Sequence, residues 1–421
     1  MRTVETINAI IMALFFLCYS YQFVYLAIGL FAKPKKTEAA APHRRIAVLI
    51  AARNEEAVIG QLLDSVRAQN YPSELLDAYV VADNCTDATA VIARAHGAEV
   101  FARQDTRHVG KGYALQFLLD RIRERRHYDA YLVLDADNIL DPNFVREITA
   151  VHDQGYGVVT CYRNSKNYGD NWISAGYALW FLREARYLNG ARMAAGSSCA
   201  VSGTGFLFSD EVLRKCGGWH FFLLTEDIEF TIDNVVRDVK IGYARNAVLY
   251  DEQPTLFRQS WRQRMRWSKG YLQVFGKYGG KLIRGILRGS FSCYDMAMNI
   301  MPAAILTGAS AVINLGAAVY AFAGGGSLRA LGLSVLQTLG SLYLTLFLLG
   351  AVTTVTEWKS IHCSAGKKVL YAFTFPLFML TYLPICAASL FARPEWKPIQ
   401  HRRSMTLDQI RTAALPDSRG A

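Results

Sequence analysis

The sequence predicts a membrane-anchored α/β protein. One domain built on a mostly parallel sheet lies between an N-terminal transmembrane helix and a C-terminal helical membrane region. Long apolar runs gather toward the two ends of the 421-residue chain. The middle alternates short β-branched runs with amphipathic stretches, the pattern of a sheet covered by helices. Acids stand directly after two of the strand-like runs, and in open α/β sheets ligands sit beyond the carboxyl ends of strands.

Residues 8–32 are almost uninterruptedly apolar, long enough to cross about 30 Å of hydrocarbon as a helix. The run is too long for a signal-peptide core and lacks a small-residue cleavage site, so residues 1–36 read as a retained anchor. Lys33, Lys35, Lys36, Arg44 and Arg45 follow, placing the next domain on the cytoplasmic side of the cell membrane. Within residues 44–250, RIAVLIA at 45–51 and AYVVA at 78–82 read as buried strands. Between and after them, 55–68 carries Val58, Leu62, Leu63 and Val66 at helical spacing, and 86–96 reads as a second helix. A further strand at 131–134 runs straight into Asp135.

Residues 254–290 hold nine basic residues and no acid, with Phe257, Trp261, Met265 and Leu272 on one helical face. That combination reads as basic amphipathic helices lying on an anionic leaflet. Apolar runs at 296–322, 328–356 and 369–391 form a membrane region over 294–393, followed by a polar tail at 394–421. Lys359, Lys367 and Lys368 place the second of its loops inside. Three crossings put the tail outside, whereas Arg393, Lys397, Arg402 and Arg403 put it inside. Pro376 and Pro384 allow the last run to be re-entrant, so the side of the tail stays open.

Composition narrows the function classes. Hydrophobic residues make up 52% and charged residues 19%, against about 25% charged in ordinary soluble domains. This excludes a disordered chain and argues against a freely soluble one. Lysine and arginine exceed the acids by 46 − 35 = 11, which suits lipid headgroups and nucleotide phosphates; no nucleic-acid module is visible. The eight cysteines show no CxxC spacing, so neither a zinc site nor a disulfide framework is expected.

Five clusters carry candidate chemistry. Asp83 ends a strand, where it can accept a hydrogen bond from a nucleotide base, while Thr86 or Asp87 caps the next helix. Asp135 and Asp137 can converge on one divalent ion of the kind that rides on a nucleoside diphosphate. Gly110-Lys111-Gly112 offers a lysine to phosphate, and no Walker-A loop is present. Thr225-Glu226-Asp227 opens a helical stretch; Thr225 suits an N-cap, the acids suit the helix dipole, and an acid there can serve as a general base. Gln263-Arg264-Met265-Arg266-Trp267 lies in the basic region just before the membrane runs.

The ordered set Arg53-Asn54-Glu55, Asp83, Asp135-x-Asp137, Thr225-Glu226-Asp227 and Gln263-x-x-Arg266-Trp267 resembles the processive family-2 glycosyltransferases, which include cellulose, chitin, hyaluronan and poly-N-acetylglucosamine synthases. The resemblance covers roughly residues 44–275 and the flanking membrane layout. It implies a GT-A catalytic domain, a UDP-sugar donor, Mg2+ or Mn2+, and inversion at the anomeric carbon. Carried over, Ala52 and Asp83 line the base and ribose site, with Lys111 near the nucleotide. Asp135 lies on the nucleotide-sugar side and Asp137 holds the metal. Asp227 takes the acceptor proton, and Gln263 and Arg266 hold the leaving diphosphate. Gly203, Thr204, Glu226 and Trp267 contact the acceptor, although the wording of 198–205 matches none of the familiar synthase variants. The first expectation is a UDP-glucose or UDP-N-acetylglucosamine transferase that extends a β-linked polysaccharide processively, with possible coupling to secretion. The alternative is a non-processive enzyme that glycosylates a membrane lipid.

Overall fold

The computed structural model describes residues 2–32, 43–300, 302–324, 328–392, 401 and 403–413. Strand β1 (Ile46–Ala52) sends Ile46, Val48 and Ile50 into one core, and Ala47 and Leu49 into another on the opposite face. Helices Ile59–Arg67 and Phe144–His152 cover the first face through Leu62, Leu63, Val66, Phe144, Val145 and Ile148. Helices Lys111–Arg123 and Trp172–Arg183 cover the second through Leu115, Leu118, Ile122, Leu179 and Leu182. Covering on both sides is why the strand sequence is apolar throughout rather than alternating. Each fully buried Ile, Val or Leu side chain contributes about 1.5–3 kcal/mol.

The remaining strands are β2 (Leu76–Asp83), β3 (Glu99–Arg103), β4 (Ala130–Asp135), β5 (Ile139–Leu140), β6 (Val158–Ser165), β7 (Phe206–Ser209) and β8 (Ile241–Asp251). They form one sheet in the order β3-β2-β1-β4-β7-β6-β8-β5. The pairs β1–β2, β2–β3, β1–β4 and β6–β8 are parallel. In contrast, β7 runs antiparallel to both β4 and β6, and β5 antiparallel to β8. The sheet is therefore mixed, with a parallel majority. The chain reaches β7 through residues 202–205 at the carboxyl edge, where the Gly205 N–H bonds Val133 O at 2.9 Å, so β7 has to run backwards. Gly205 sits at φ +66°, and a Cβ there would lie 2.2 Å from Leu249 and 2.3 Å from Cys161; only glycine fits that corner.

The N-terminal apolar run is two helices, Arg2–Tyr19 and Tyr21–Phe31, bent by 41° between their apolar portions rather than one straight anchor. Helices Phe291–Ile300, Pro302–Ala323 and Leu328–Thr356 follow the α/β domain, then Ala365–Leu380 and Tyr382–Phe391. Among the described residues, two stretches are long and apolar enough to cross a membrane, Leu339–Thr356 and Ala365–Phe391, with the bent N-terminal pair a third if it acts as one span.

A buried ion pair fastens these helices to the α/β domain. Arg192 grips Asp295 with two nitrogens, Nε at 2.7 Å and Nη2 at 2.9 Å, and Tyr21 and Tyr25 donate to the same carboxylate at 2.9 and 2.8 Å. Arg186 adds a second tie, donating to Gly29 O at 3.0 Å and to Glu357 at 2.8 Å.

The basic stretch forms a single helix of 31 residues, Phe257–Leu287. Its buried positions are Ser260, Arg264, Gly270, Val274, Tyr278, Gly279 and Leu282, whereas Phe257 is exposed and Trp261, Met265 and Leu272 are half-buried. Arg264 is fully buried beneath Ala365–Leu380, donating to Phe378 O and Thr381 Oγ1 at 3.1 and 2.6 Å. The described part of the tail rests on the α/β domain. Arg403 meets Asp170 at 2.7 Å, Arg411 meets Asp141 at 2.6 Å, and Ile410 is buried with Ile139 and Tyr250. Contact puts this part of the tail on the same side as that domain, as its basic residues suggest and the count of crossings does not. Arg393, Lys397 and Arg402 lie outside the described residues.

Breaking one half of a buried ion pair strands the other charge. Asp295→Asn should therefore cost about 3–5 kcal/mol, read as a fall of several degrees in the unfolding temperature of the detergent-solubilised protein. An unchanged transition would show that the pair does not hold the two parts together.

Candidate active site

The register of three adjacent parallel strands assembles the first half of the site. Ala51 on β1 pairs with Asp135 on β4, and Ala52 with Ala82 on β2, so Ala52, Asp83 and Asp135 end side by side at the carboxyl edge. Asp83 is buried and takes hydrogen bonds from Arg103 Nη1 at 2.5 Å and Asn84 Nδ2 at 3.0 Å. The next helix, Thr89–Ala95, starts after Ala88 rather than at Thr86 or Asp87, and Asp87 just before it accepts from the Thr89 N–H at 3.1 Å. Lys111, the first residue of its helix, donates to Asp135 Oδ1 at 2.5 Å and to Gly203 O at 2.7 Å. Asp137 is buried, with Oδ2 accepting from the Glu252 N–H at 2.7 Å.

The second half comes from two helices. Glu226 and Asp227 open Glu226–Val236; Thr225 stands at its N-cap, but its buried hydroxyl has no partner among the described residues. Helix Phe257–Leu287 passes over this start so closely that a Cβ on Gly270 would fall 2.5 Å from the Thr225 side chain. It thereby presents Gln263, Arg266 and Trp267 to the same space. Trp267 stands edge-on to Tyr177, centroids 5.7 Å apart. No hydrogen bond or ion pair to a described residue engages the Arg266 guanidinium.

All these groups line one cavity of about 1230 Å³. Its wall includes Ala52, Asp83, Lys111, Asp135, Asp137, Gly203, Glu226, Asp227, Gln263, Arg266 and Trp267. Thr204 is the exception among the residues expected to touch a ligand. It is buried behind the wall, where its hydroxyl donates to Asn138 Oδ1 at 2.5 Å and accepts from the Asp135 N–H at 2.9 Å. It holds Asp135 rather than facing the cavity. Beyond the polar end the wall is aliphatic, with Ile300, Val312, Leu342, Leu346, Leu380 and Leu383 from the membrane helices.

A profile described as "Glycosyltransferase like family 2" matches residues 42–270, more than half of the chain. The chain belongs to glycosyltransferase family 2. A β-monoglucosyldiacylglycerol synthase of Synechocystis is 25% identical over 239 residues, covering 56% of this chain and 50% of its own. A poly-β-1,6-N-acetyl-D-glucosamine synthase of Staphylococcus aureus is 26% identical over 236 residues, 54% of this chain and 55% of its own. The matches thus span about half the length of these curated relatives. A solved mannosyltransferase of Pyrobaculum calidifontis, in complex with GDP-Man and Mn2+, covers 91% of this chain and 98% of its own, with TM-score 0.57 and 17% identity. That likeness is one of fold, and the fold is GT-A-like.

Several residues of this family-2 site escaped the sequence analysis. Asp251 ends β8 as Asp135 ends β4, so the strand-end rule could have found it; its carboxylate takes Arg163 Nε at 2.7 Å. Arg103 and His401 carried no local signal. His401 arrives from the tail, contacts Glu55 at 3.0 Å and lines the cavity. Burial pulls its pKa down, but Asp137, Glu55 and Glu252 outweigh this and push it up to about 10. Burial alone would raise Asp137, yet His401, Lys166, the Glu252 N–H and Arg163 hold it below the usual carboxylate value. Lys111 is likewise kept charged, since Asp135, Glu226 and Asp227 outweigh its burial.

Glu226 and Asp227 go the other way. Burial and the neighbouring Asp227 push Glu226 up to about 7, and burial raises Asp227. A raised carboxyl favours the fold below its unfolded pKa, and that contribution is lost as pH climbs through the folded value. For Glu226 the window runs from 4.5 to about 7. Glu226→Gln should therefore melt above the native protein at about pH 8 and level with it at about pH 4. An equal difference at both would mean that Glu226 titrates normally.

Proposed function

We propose that this family-2 glycosyltransferase is a membrane-embedded enzyme that transfers a hexosyl unit from a UDP-sugar to a hydroxyl of a lipid acceptor on the cytoplasmic side, with inversion. The carrying observation is the cavity: one space joins the carboxylates at the sheet edge to an aliphatic wall on the membrane helices. A sugar ring at the polar end leaves that wall to acyl chains, whose burial from water is favourable by about 0.8 kcal/mol per CH2. The glucolipid synthase among the relatives supports the same reading. UDP-glucose and UDP-N-acetylglucosamine are the donors implied by the family resemblance.

Asp83 and Ala52 hold the base and ribose, while Lys111 and the unengaged Arg266 receive the diphosphate, Arg266 as a planar fork suited to phosphate oxygens. Gln263, whose buried Oε1 has no partner among the described residues, completes that side. Asp135 and Asp137 fit a Mg2+ or Mn2+ ion, which takes one or two carboxylates and fills its other positions with phosphate and water. No group of three or more such ligands gathers among the described residues, so the donor itself has to complete the shell. When bound, the ion supplies charge neutralisation of the leaving diphosphate. Asp227 accepts the proton of the acceptor hydroxyl as that oxygen attacks the anomeric carbon and the bond to UDP breaks. The Gly203 and Ile228 N–H groups steady the carboxylate it must start from.

A β-linked polysaccharide made processively is the second reading. It is supported by Trp267, which faces the cavity beside Gln263 and Arg266 as a platform for a sugar ring, and by the poly-N-acetylglucosamine synthase among the relatives.

Asp227→Asn should keep UDP binding and lose about 10²–10⁴-fold in transfer; full transfer would remove Asp227 as base. For the acceptor, Leu346→Trp narrows the aliphatic arm without touching the donor end. It should raise the apparent KM for a lipid acceptor by about tenfold or more, with UDP affinity unchanged. An unaltered acceptor KM would mean that no acyl chain enters there.

A further inference from the structure

Helix Trp172–Arg183 runs into a π-helical turn, Glu184–Asn189, before α-helix resumes at Gly190–Ala194. Such turns are uncommon and cluster at functional sites, because the inserted residue re-aims the side chains around it. Most of this turn faces the membrane helices and the neighbouring loop. Arg186 and Tyr187 bond Glu357 and Thr356, and Asn189 bonds Ala200. Glu184 is the one residue of the turn on the cavity wall.

Its carboxylate is left half satisfied. Oε2 accepts from Ser202 Oγ at 3.2 Å, while Oε1 takes no hydrogen bond from a described residue. Three cations have fields that reach it. Arg192 and Arg163 are committed to Asp295 and Asp251 at 2.7 Å each. Arg183, the residue before Glu184, donates Nη2 to Gln22 at 3.1 Å and keeps a buried Nε with no partner among the described residues. The field of Asp227 reaches Glu184 as well. Ser202 precedes Gly203, whose N–H helps to lower the Asp227 pKa and whose carbonyl accepts from Lys111 at 2.7 Å. Glu184 therefore lies on the acceptor side, next to the loop that supports the base. Oε1 is not sealed off from the cavity, so it can accept a hydrogen bond from a ligand there, and the ligand group that suits it is a hydroxyl.

We propose that Glu184 binds a second hydroxyl of the acceptor, beside the one deprotonated by Asp227. The acceptor is then an amphiphile with a polyol headgroup, a sugar or glycerol unit with at least two free hydroxyls, rather than a lipid with one. This rests on the lipid-acceptor reading above and narrows it.

Binding tests it without turnover. The full chain in nanodiscs, loaded with UDP, is titrated with dodecyl β-glucoside and with dodecanol, equal in chain and different in headgroup. The native protein should bind the glucoside at least about tenfold more tightly. Glu184→Gln should lose most of that preference at unchanged UDP affinity, and Glu184→Asp should keep part of it. A preference that survives in Glu184→Gln overturns the assignment. So does a parallel fall in UDP affinity in both variants, which would mark a structural role. If no UDP-sugar supports transfer to any lipid while the glucoside preference still tracks Glu184, the lipid-transfer reading fails and the polyol site stands.

Discussion

The buried pair of Arg192 and Asp295 is the constraint on which the rest of the molecule depends. Arg192 follows the π-helical turn beside the catalytic loop, and Asp295 opens the membrane region on Phe291–Ile300. With Tyr21 and Tyr25 closing on the same carboxylate, three segments far apart in sequence meet at one point. A salt bridge removed from water gains little net stability against an apolar replacement, but it tolerates no partner in the wrong place. Its effect is registration: it sets the aliphatic wall of the membrane helices against the carboxyl edge of the sheet, so that one cavity crosses the boundary.

Electrostatics divides that cavity. At the donor end each acid has a cation close by, Asp83 with Arg103, Asp135 with Lys111 and Asp137 facing His401 and Lys166. Of these, Asp137 is held, against its burial, below the usual carboxylate value, chiefly by His401 and Lys166. Toward the acceptor, Glu184, Glu226 and Asp227 are raised by burial. Raised carboxyls suit groups that hold or take protons.

Much of the fold could be read from residues. Strands buried on both faces declare themselves as apolar runs, and acids directly after them mark the edge where Asp83 and Asp135 gather. The family-2 resemblance brought Asp227, Gln263, Arg266 and Trp267 into consideration, and the structure sets them on one wall. Features that depend on partners distant in sequence were hidden. The reversed strand β7 follows from where its loop enters, the break near Ser20 has no proline or glycine to announce it, and Arg103 and His401 find their carboxylates across 20 and 346 residues. Thr204 was placed at the acceptor by the position of its loop in the family resemblance, whereas its hydroxyl turns inward to Asn138.

The destination of the sugar tests the central claim most directly. Purified protein in lipid nanodiscs, given radiolabelled UDP-glucose or UDP-N-acetylglucosamine with Mg2+ or Mn2+, yields a product that can be split between an organic lipid extract and an insoluble polymer fraction. Label in the lipid extract, growing in step with UDP release, is the result this account predicts. Label confined to a long, glycosidase-sensitive polymer would contradict it and make the aliphatic wall a passage for a growing chain.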